Sequence, residues 1–324
     1  MRVERRDKSD ATIGSELCRS EPSTAVTKPG RRKDASPSYR KALDRLESFA
    51  RFERGKILIE GESGTGKSLL ARHVHASSPR AHAALVELDL GALDEALVNS
   101  ELFGHKRGSF TGASSGRTGL VLSANRGTLF LDEIGKASLH VQQRLLALLD
   151  RRVVRPVGSD REVPIDVRFV AASNIPREQL VDDGKLLPDL LPRLAAFRVR
   201  LPPLRDRAED IRWLADECIA RHARHFGFQY AHPILAEALV AAMLRARWPH
   251  NVRGLDNVIQ RLLVAANGEH LITLDHCMDE DLIFLRHATL CDVRLPTSLR
   301  RKDHHRRGSD RVSARWHNAG SRAW

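Results

Sequence analysis

The segment Gly61-Glu-Ser-Gly-Thr-Gly-Lys67-Ser68 constrains this chain more than any other, because it fixes a local backbone arrangement together with a chemistry. It matches G-x-x-x-x-G-K-S, follows the apolar run Lys56–Glu60 (KILIE) and opens a helical pattern, the strand–loop–helix context of a P-loop. Glycines at 61, 64 and 66 let the backbone curl so that successive N–H groups face one centre. The helix that follows adds its positive N-terminal end. Gly61, Glu62, Ser63, Gly64, Thr65, Gly66, Lys67 and Ser68 are therefore the candidate ATP cradle. Lys67 is expected to reach the β- and γ-phosphates, and the Ser68 hydroxyl to ligate magnesium (Mg2+).

A second, acidic element follows at Leu129-Phe-Leu-Asp132-Glu133, an apolar strand ending in two carboxylates. Such a pair is common by itself. Coupled to the P-loop it completes a phosphoryl-transfer site, with Asp132 holding magnesium through water and Glu133 polarising the attacking water. Asn174, just past the run Val167–Ala172, either hydrogen-bonds the γ-phosphate or water, or caps its own loop.

Around these motifs, short apolar runs alternate with helical segments. Lys56–Glu60, Ala84–Asp89, Thr128–Asp132, Val167–Ala172 and Ala196–Arg200 have the length of buried strands. Amphipathic stretches lie between them, such as Ser138–Asp150 with Leu139, Leu145, Leu146 and Leu149 as a core face. That interleaving predicts an α/β fold with a parallel sheet covered by helices on both faces. Tyr39, Leu43, Leu46 and Phe49 predict a first helix ending near Arg51. After Pro202-Pro203 the strand signals stop, and Ala208–His225, Pro233–Ala246 and Val252–Ala266 read as helices. The expected layout is a disordered arm over 1–35, a nucleotide-binding α/β domain over 36–202, an all-helical lid over 203–280 and a basic, disordered tail over 281–324.

The 324 residues, 42% hydrophobic and 29% charged, have the balance of a folded soluble protein. No stretch approaches the ~18 apolar residues of a membrane helix. The N-terminus has basic residues but no apolar stretch behind them, so it is no secretory signal. Cys18, Cys218, Cys277 and Cys291 are scattered, which fits a reducing, cytoplasmic setting; the lack of a long apolar stretch leads us to expect no membrane partner. The net charge of +12 favours polyanionic partners, although a basic tail accounts for much of it.

At Glu101-Leu-Phe-Gly-His-Lys-Arg-Gly108-Ser-Phe-Thr-Gly-Ala113 the sequence resembles the sigma-54-dependent transcriptional activators, also called bacterial enhancer-binding proteins, which carry ELFGHxxGAFTGA. GESGTGKS at 61–68, GTLFLDEIG at 127–135, LPPLRDRAEDI at 201–211 and WPHNVRGLDNVI at 248–259 extend the resemblance over about residues 36–275. It implies a P-loop AAA+ domain followed by a small helical lid, an ATPase activity, and assembly into a ring, usually a hexamer. By the same resemblance Phe110 and Thr111 tip a mobile loop that contacts sigma-54 RNA polymerase holoenzyme. From the residues alone, Phe110 is either such a contact or a ring tucked into its own domain. Arg253 is implied as a sensor reaching the nucleotide from the lid. Arg193 is implied as an arginine inserted into the neighbouring subunit's site, its alternative being a surface ion pair with Asp189 at i−4.

The chain departs from the family pattern in places. Ser109 replaces Ala, and Leu187 stands where a first trans arginine is usual. Asp89 stands where the family usually carries an Asn that restrains the catalytic Glu; Leu122 replaces a Glu, Arg126 a Gly, and His250 and Gly254 alter the lid motif. Residues before 36 leave no room for a receiver domain, and no helix-turn-helix is recognisable after the lid. The Arg-rich stretch Arg300–Arg315 either contacts DNA phosphates through charge or is a solvated tail. The leading expectation is an ATP-driven activator that remodels sigma-54 polymerase. The second is a weakly hydrolysing co-activator in mixed rings with a paralogue, and the third a basic nucleic-acid-binding ATPase.

Overall fold

A computed structural model describes residues 35–110, 113–227, 233–278, 281 and 285. Thr111, the arm up to residue 34 and nearly all of the basic tail, including Arg300–Arg315, lie outside the described residues.

Five strands form one parallel sheet: β1 (Ile57–Glu60), β2 (Leu85–Asp89), β3 (Thr128–Asp132), β4 (Arg168–Ser173) and β5 (Phe197–Arg200), in the spatial order β2-β3-β4-β1-β5. Four of them begin one residue later than the apolar runs predict, and β4 also ends one residue later, at Ser173. Each expected strand is present. Side chains alternate across the sheet, and both faces are apolar, as a doubly covered parallel sheet requires. Leu58, Leu129, Leu131, Phe169 and Ala171 enter one core. Ile57, Ile59, Phe130, Val170 and Ala172 enter the other.

The second face is covered by α1 (Pro37–Ala50) and α2 (Lys67–Ala76). The first is covered by α3 (Glu95–Phe103), α4 (Leu139–Arg151) and α5 (Leu190–Leu194). On α4 the buried stripe is Val141, Leu145, Leu148 and Leu149, whereas Leu139 is 58% exposed. At 100° per residue Leu139 stacks with Leu146 on the flank of the helix, not with Leu145 and Leu149. Leu139 is therefore removed from the expected core face.

Beyond Leu201 the chain forms the lid: α6 (Ile211–Phe226), α7 (Glu237–Arg245) and α8 (Asn251–Ala266), packed around buried Trp248, Leu239, Leu255 and Leu262. Its one β element among the described residues is a two-residue parallel pair, Ile234–Leu235 with Leu271–Ile272. The lid core takes in Leu285, and buried Asp281 pairs with Arg261, a few residues past the expected end at 280. Among the described residues no helix is long and apolar enough to cross a membrane.

Two polar devices join these parts. Ser36 caps α1 by accepting from the Tyr39 N–H at 3.3 Å, and its hydroxyl and N–H both donate to Asp210 at the foot of the lid, at 3.1 and 3.0 Å. Arg168, fully buried at the start of β4, donates to the Ala50 and Phe49 carbonyls at 3.0 and 3.1 Å, satisfying the C-terminal end of α1. Burial pushes its guanidinium down to about 10, with the Arg80 charge adding to the shift.

Replacing Ser36 by Ala removes the cap and one buried bond to Asp210. Urea unfolding followed by circular dichroism is expected to show a loss of about 1–2 kcal/mol.

Candidate nucleotide-binding site

All five strands run the same way, so their C-terminal ends share one edge of the sheet. Glu60 lies level with Ser173, and Asp89 with Asp132. The loop Gly61–Gly66 leaves β1 at that edge, and Gly66, at φ +102°, caps α2. Lys67 is nearly buried and donates from Nζ to the Gly61 and Glu62 carbonyls at 2.8 and 3.1 Å. Burial pushes its ammonium below the usual lysine value; Asp132 and Glu133 oppose that shift, and Arg253 adds to it. An amine held partly dry among loop carbonyls is ready to exchange them for phosphate oxygens.

Opposite it, Ser68 donates from Oγ to Asp132 Oδ2 at 3.0 Å, while Asp132 Oδ1 accepts from the Glu133 N–H at 2.9 Å. The hydroxyl and the carboxylate expected to share a magnesium ion are therefore already together. Among the described residues no cluster of three His, Cys, Asp or Glu could hold a metal by itself. This donor set instead suits a cation that retains water and phosphate ligands, as magnesium does. Glu133 has a left-handed backbone (φ 53°, ψ 47°) and pairs with Lys136. Asn174 directly follows Ser173, whose carbonyl accepts from the Gly61 N–H at 3.1 Å, so it sits beside the loop.

The lid closes over the cradle through polar contacts. Asn251 is fully buried, with φ 53°; its amide donates to the Ser63 carbonyl at 2.9 Å and to Glu62 at 3.2 Å, and its Oδ1 accepts from the Leu204 N–H at 2.7 Å. Arg205 grips Glu62 with two bonds of 2.6 and 2.9 Å, holding that carboxyl below its usual range. Arg207 donates to the Thr65 carbonyl at 3.1 Å. The Val252 N–H donates to the Gly64 carbonyl at 3.0 Å, and a Cβ at Gly64 would come within 2.1 Å of the His250 carbonyl, so only glycine admits the lid there. Arg253 reaches Ser63 Oγ at 3.3 Å. Glu62, Ser63 and Thr65 thus serve the lid as well as the cradle.

A separate feature lies at 104–118. Gly104–His105 pairs antiparallel with Arg117–Thr118, and the segment between them is pinned by Lys106 N–H donating to Val157 O at 3.0 Å. Gly108 N–H donates to Ala113 O at 2.9 Å, and Ala113 N–H to Phe110 O at 3.0 Å, closing the tip. Phe110 touches the His105 ring edge-on at 4.9 Å and is 47% exposed, so it is not tucked into its own domain.

The Sigma-54 interaction domain family matches residues 33–200, and the AAA+ ATPase lid domain matches residues 205–282. The chain belongs to the sigma-54 interaction domain family. Curated relatives include the DNA-binding transcriptional regulator NtrC of Escherichia coli K12, 45% identical over 219 residues that make up 68% of this chain and 46% of the relative. The Nif-specific regulatory protein of Azotobacter vinelandii is 41% identical over 227 residues, 70% of this chain and 42% of the relative. The chain thus spans under half the length of these relatives. Among solved structures, NtrX from Brucella abortus in complex with ATP is 27% identical with a TM-score of 0.70, covering 83% of this chain and 57% of that one. The complex of NtrX with ADP has a TM-score of 0.69.

Within this sigma-54 interaction domain the family departures have visible consequences. Arg126, where glycine is usual, adopts φ 65°, which costs a side-chain-bearing residue about 1–2 kcal/mol. Leu187 and Leu122 pack partly buried against the core. Asp89 is exposed and accepts from the Gly91 N–H at 2.8 Å. Arg193 pairs with Asp150 of α4 at 2.7 Å, which replaces the expected partner Asp189, and it remains 51% exposed. Its charge, after burial and Arg152, helps push down Lys56, at the start of β1. The cradle follows the other end of that strand, ~13 Å away at 3.3 Å per residue, so Arg193 lies away from its own chain's site.

Asn251, Arg205, Arg207 and Lys136 were missed by sequence reasoning. The first three lie inside the motifs RDR and WPHNVRG, and that clustering was the available signal. Asn251→Gly keeps the left-handed backbone unstrained and deletes only the amide. It is expected to lower the unfolding free energy by about 1–3 kcal/mol in urea titrations, and Asn251→Ala by more, since it also strains the backbone.

Proposed function

We propose that this chain binds ATP and magnesium at the Gly61–Ser68 loop and hydrolyses ATP between subunits of a ring, usually a hexamer in this family. The cycle drives the Phe110–Thr111 loop against sigma-54 RNA polymerase holoenzyme in the cytoplasm, so that promoters open. The observation that carries the reading is the Ser68–Asp132 hydrogen bond of 3.0 Å, which joins the loop to the acidic strand end. The ATP and ADP complexes of NtrX support nucleotide binding at this fold.

In this reading Lys67 and the loop N–H groups bind the phosphates, and Arg253 orients them from the lid. Glu133 accepts a proton from the attacking water, and Asn174 positions that water or the γ-phosphate. Magnesium held by Ser68 and Asp132 would supply charge neutralisation at the phosphate oxygens. Arg193, exposed and far from its own loop, stabilises charge building on the phosphate of a neighbouring subunit. Phe110 supplies an exposed aromatic contact at the tip. Contact with DNA is left to the basic tail or to a partner.

A second reading, a weakly hydrolysing co-activator in mixed rings with a paralogue, is favoured by one observation. Position 187 offers a partly buried leucine in place of a second trans cation.

Three measurements test the proposal. Lys67→Ala is expected to retain the fold by circular dichroism yet weaken ATP binding by about 100-fold or more, the loss of a charge-assisted contact. Promoter melting by sigma-54 holoenzyme would be lost with it. Arg193→Ala is expected to keep ATP affinity and lower turnover about 10³-fold, as for other trans arginines. Turnover by the isolated wild-type chain that matches a mixed ring removes the co-activator reading.

A further inference from the structure

The end of the sheet opposite the cradle gathers more positive charge than this chain neutralises. Lys56 stands just before β1, and its carbonyl accepts from the Phe197 N–H at 3.0 Å, which sets it level with the start of β5. α5 carries Arg193 in its last turn and leads into that same strand. α4 packs on α5 and ends at Arg151, where Arg152 caps it in a left-handed conformation (φ 56°, ψ 32°). Arg152 donates from Nη1 to the Val167 carbonyl at 2.9 Å, beside the start of β4. Lys56, Arg152 and Arg193 are thereby brought to one corner of the molecule.

One carboxylate serves these three cations. Asp150 pairs with Arg193 at 2.7 Å. The Lys56 ammonium is half-buried, yet it makes no ion pair or hydrogen bond among the described residues. Burial pushes it below the usual lysine value; Arg152 deepens that shift, Asp150 opposes it and Arg193 deepens it further. A partly dry ammonium among like charges is costly until an anion reaches it.

That anion does not come from the chain's own cradle. β1 spans the four residues between Lys56 and Gly61, ~13 Å at 3.3 Å per residue, and the phosphate loop leaves from its far end. At that far edge Asp132 is already engaged by Ser68 at 3.0 Å. In two copies set head to tail, the basic corner of one faces the cradle edge of the next, a heterologous contact that can close into a ring. The anion brought to that edge is the terminal phosphate of bound ATP.

We propose that Lys56 is a trans cation that, beside Arg193, meets the terminal phosphate of ATP held by the next copy and supplies the charge that Leu187 does not. The proposal rests on the reading of Arg193 as acting on a neighbouring subunit's site. It adds to that site a residue of another type, from another element.

The test uses the full chain. Lys56→Gln is expected to lower kcat about 10²-fold, the loss of one donor aimed at developing charge, with the KM for ATP nearly unchanged. Lys56→Met, which keeps an apolar stem, should be equally slow, and Lys56→Arg should recover most of the rate. A readout without turnover is assembly followed by sedimentation. With ADP and aluminium fluoride, wild type should assemble at about tenfold lower protein concentration than Lys56→Gln, and with ADP alone the two should match. Mixing then separates the copies' roles. Lys67→Ala cannot load its own cradle but still presents Lys56 and Arg193, so adding it to Lys56→Gln or to Arg193→Ala should raise turnover several-fold. The role of Lys56 is overturned, and the function stands, if only the Arg193→Ala mixture gains. Equal assembly of wild type and Lys56→Gln with ADP and aluminium fluoride overturns it as well. If neither mixture gains, sites are not shared between copies, and the ring reading falls together with this inference.

Discussion

Strand register decides where this molecule can handle a phosphate. Because Leu131 pairs with Ala171 and Glu60 with Ser173, the chain leaves β3 and β1 within one residue of the same height. Asp132 therefore meets the first turn of α2, where Ser68 points back to it at 3.0 Å. A slip of one residue in β3 would turn Leu129 and Leu131 toward the helices α1 and α2, and would drive Asp132 off the Ser68 hydroxyl. Apolar packing on both faces of the sheet is thus what holds a polar pair in register at its edge. The free energy lies in the core, and the chemistry uses the geometry that the core sets.

The lid exploits the same edge by a different means. Its own core is apolar, but its grip on the loop runs through Asn251, Arg205, Arg207 and one backbone bond at Gly64. Each polar contact exchanges with water at a small net gain. A hydrophobic seam of the same extent would fix the lid more firmly. A seam made of hydrogen bonds instead ties the lid to the loop backbone and to Glu62. The Glu62, Ser63 and Thr65 groups bound by the lid adjoin the carbonyls of Gly61 and Glu62 that Lys67 grips.

Much of this was legible because it is local. A short apolar run before G-x-x-x-x-G-K-S has few ways to fold, and all five sheet strands announced themselves as such runs. The errors arose where tertiary contact overrides spacing. Leu139 repeats at the right interval to extend an apolar stripe, yet it sits in the first turn of α4, on a flank with nothing above it. Arg193 has Asp189 four residues earlier, but α5 is only five residues long and packs on α4, which delivers Asp150 instead. Asn251 carries no composition signal; its importance comes from a left-handed backbone that turns one amide toward the loop and the linker at once. Lys136 looks like a surface charge until the 3₁₀ turn folds it over Glu133.

The path from the acidic edge to the exposed aromatic is short and mostly rigid. The Leu90 N–H donates to the Asp132 carbonyl at 3.1 Å, so the exit of β2 is tied to the strand end that carries Asp132. Asp94 then opens α3, which runs nine residues, ~13 Å at 1.5 Å per residue, to Phe103 and its C-cap Gly104. Phe103 and Leu102 are fully packed, and Arg144 stacks over the Phe103 ring at 3.9 Å, so the helix moves as one body with its neighbours or not at all. Beyond Gly104 the described residues of the loop are fastened by main-chain bonds to Val157 and among themselves, and Phe110 stays 47% exposed.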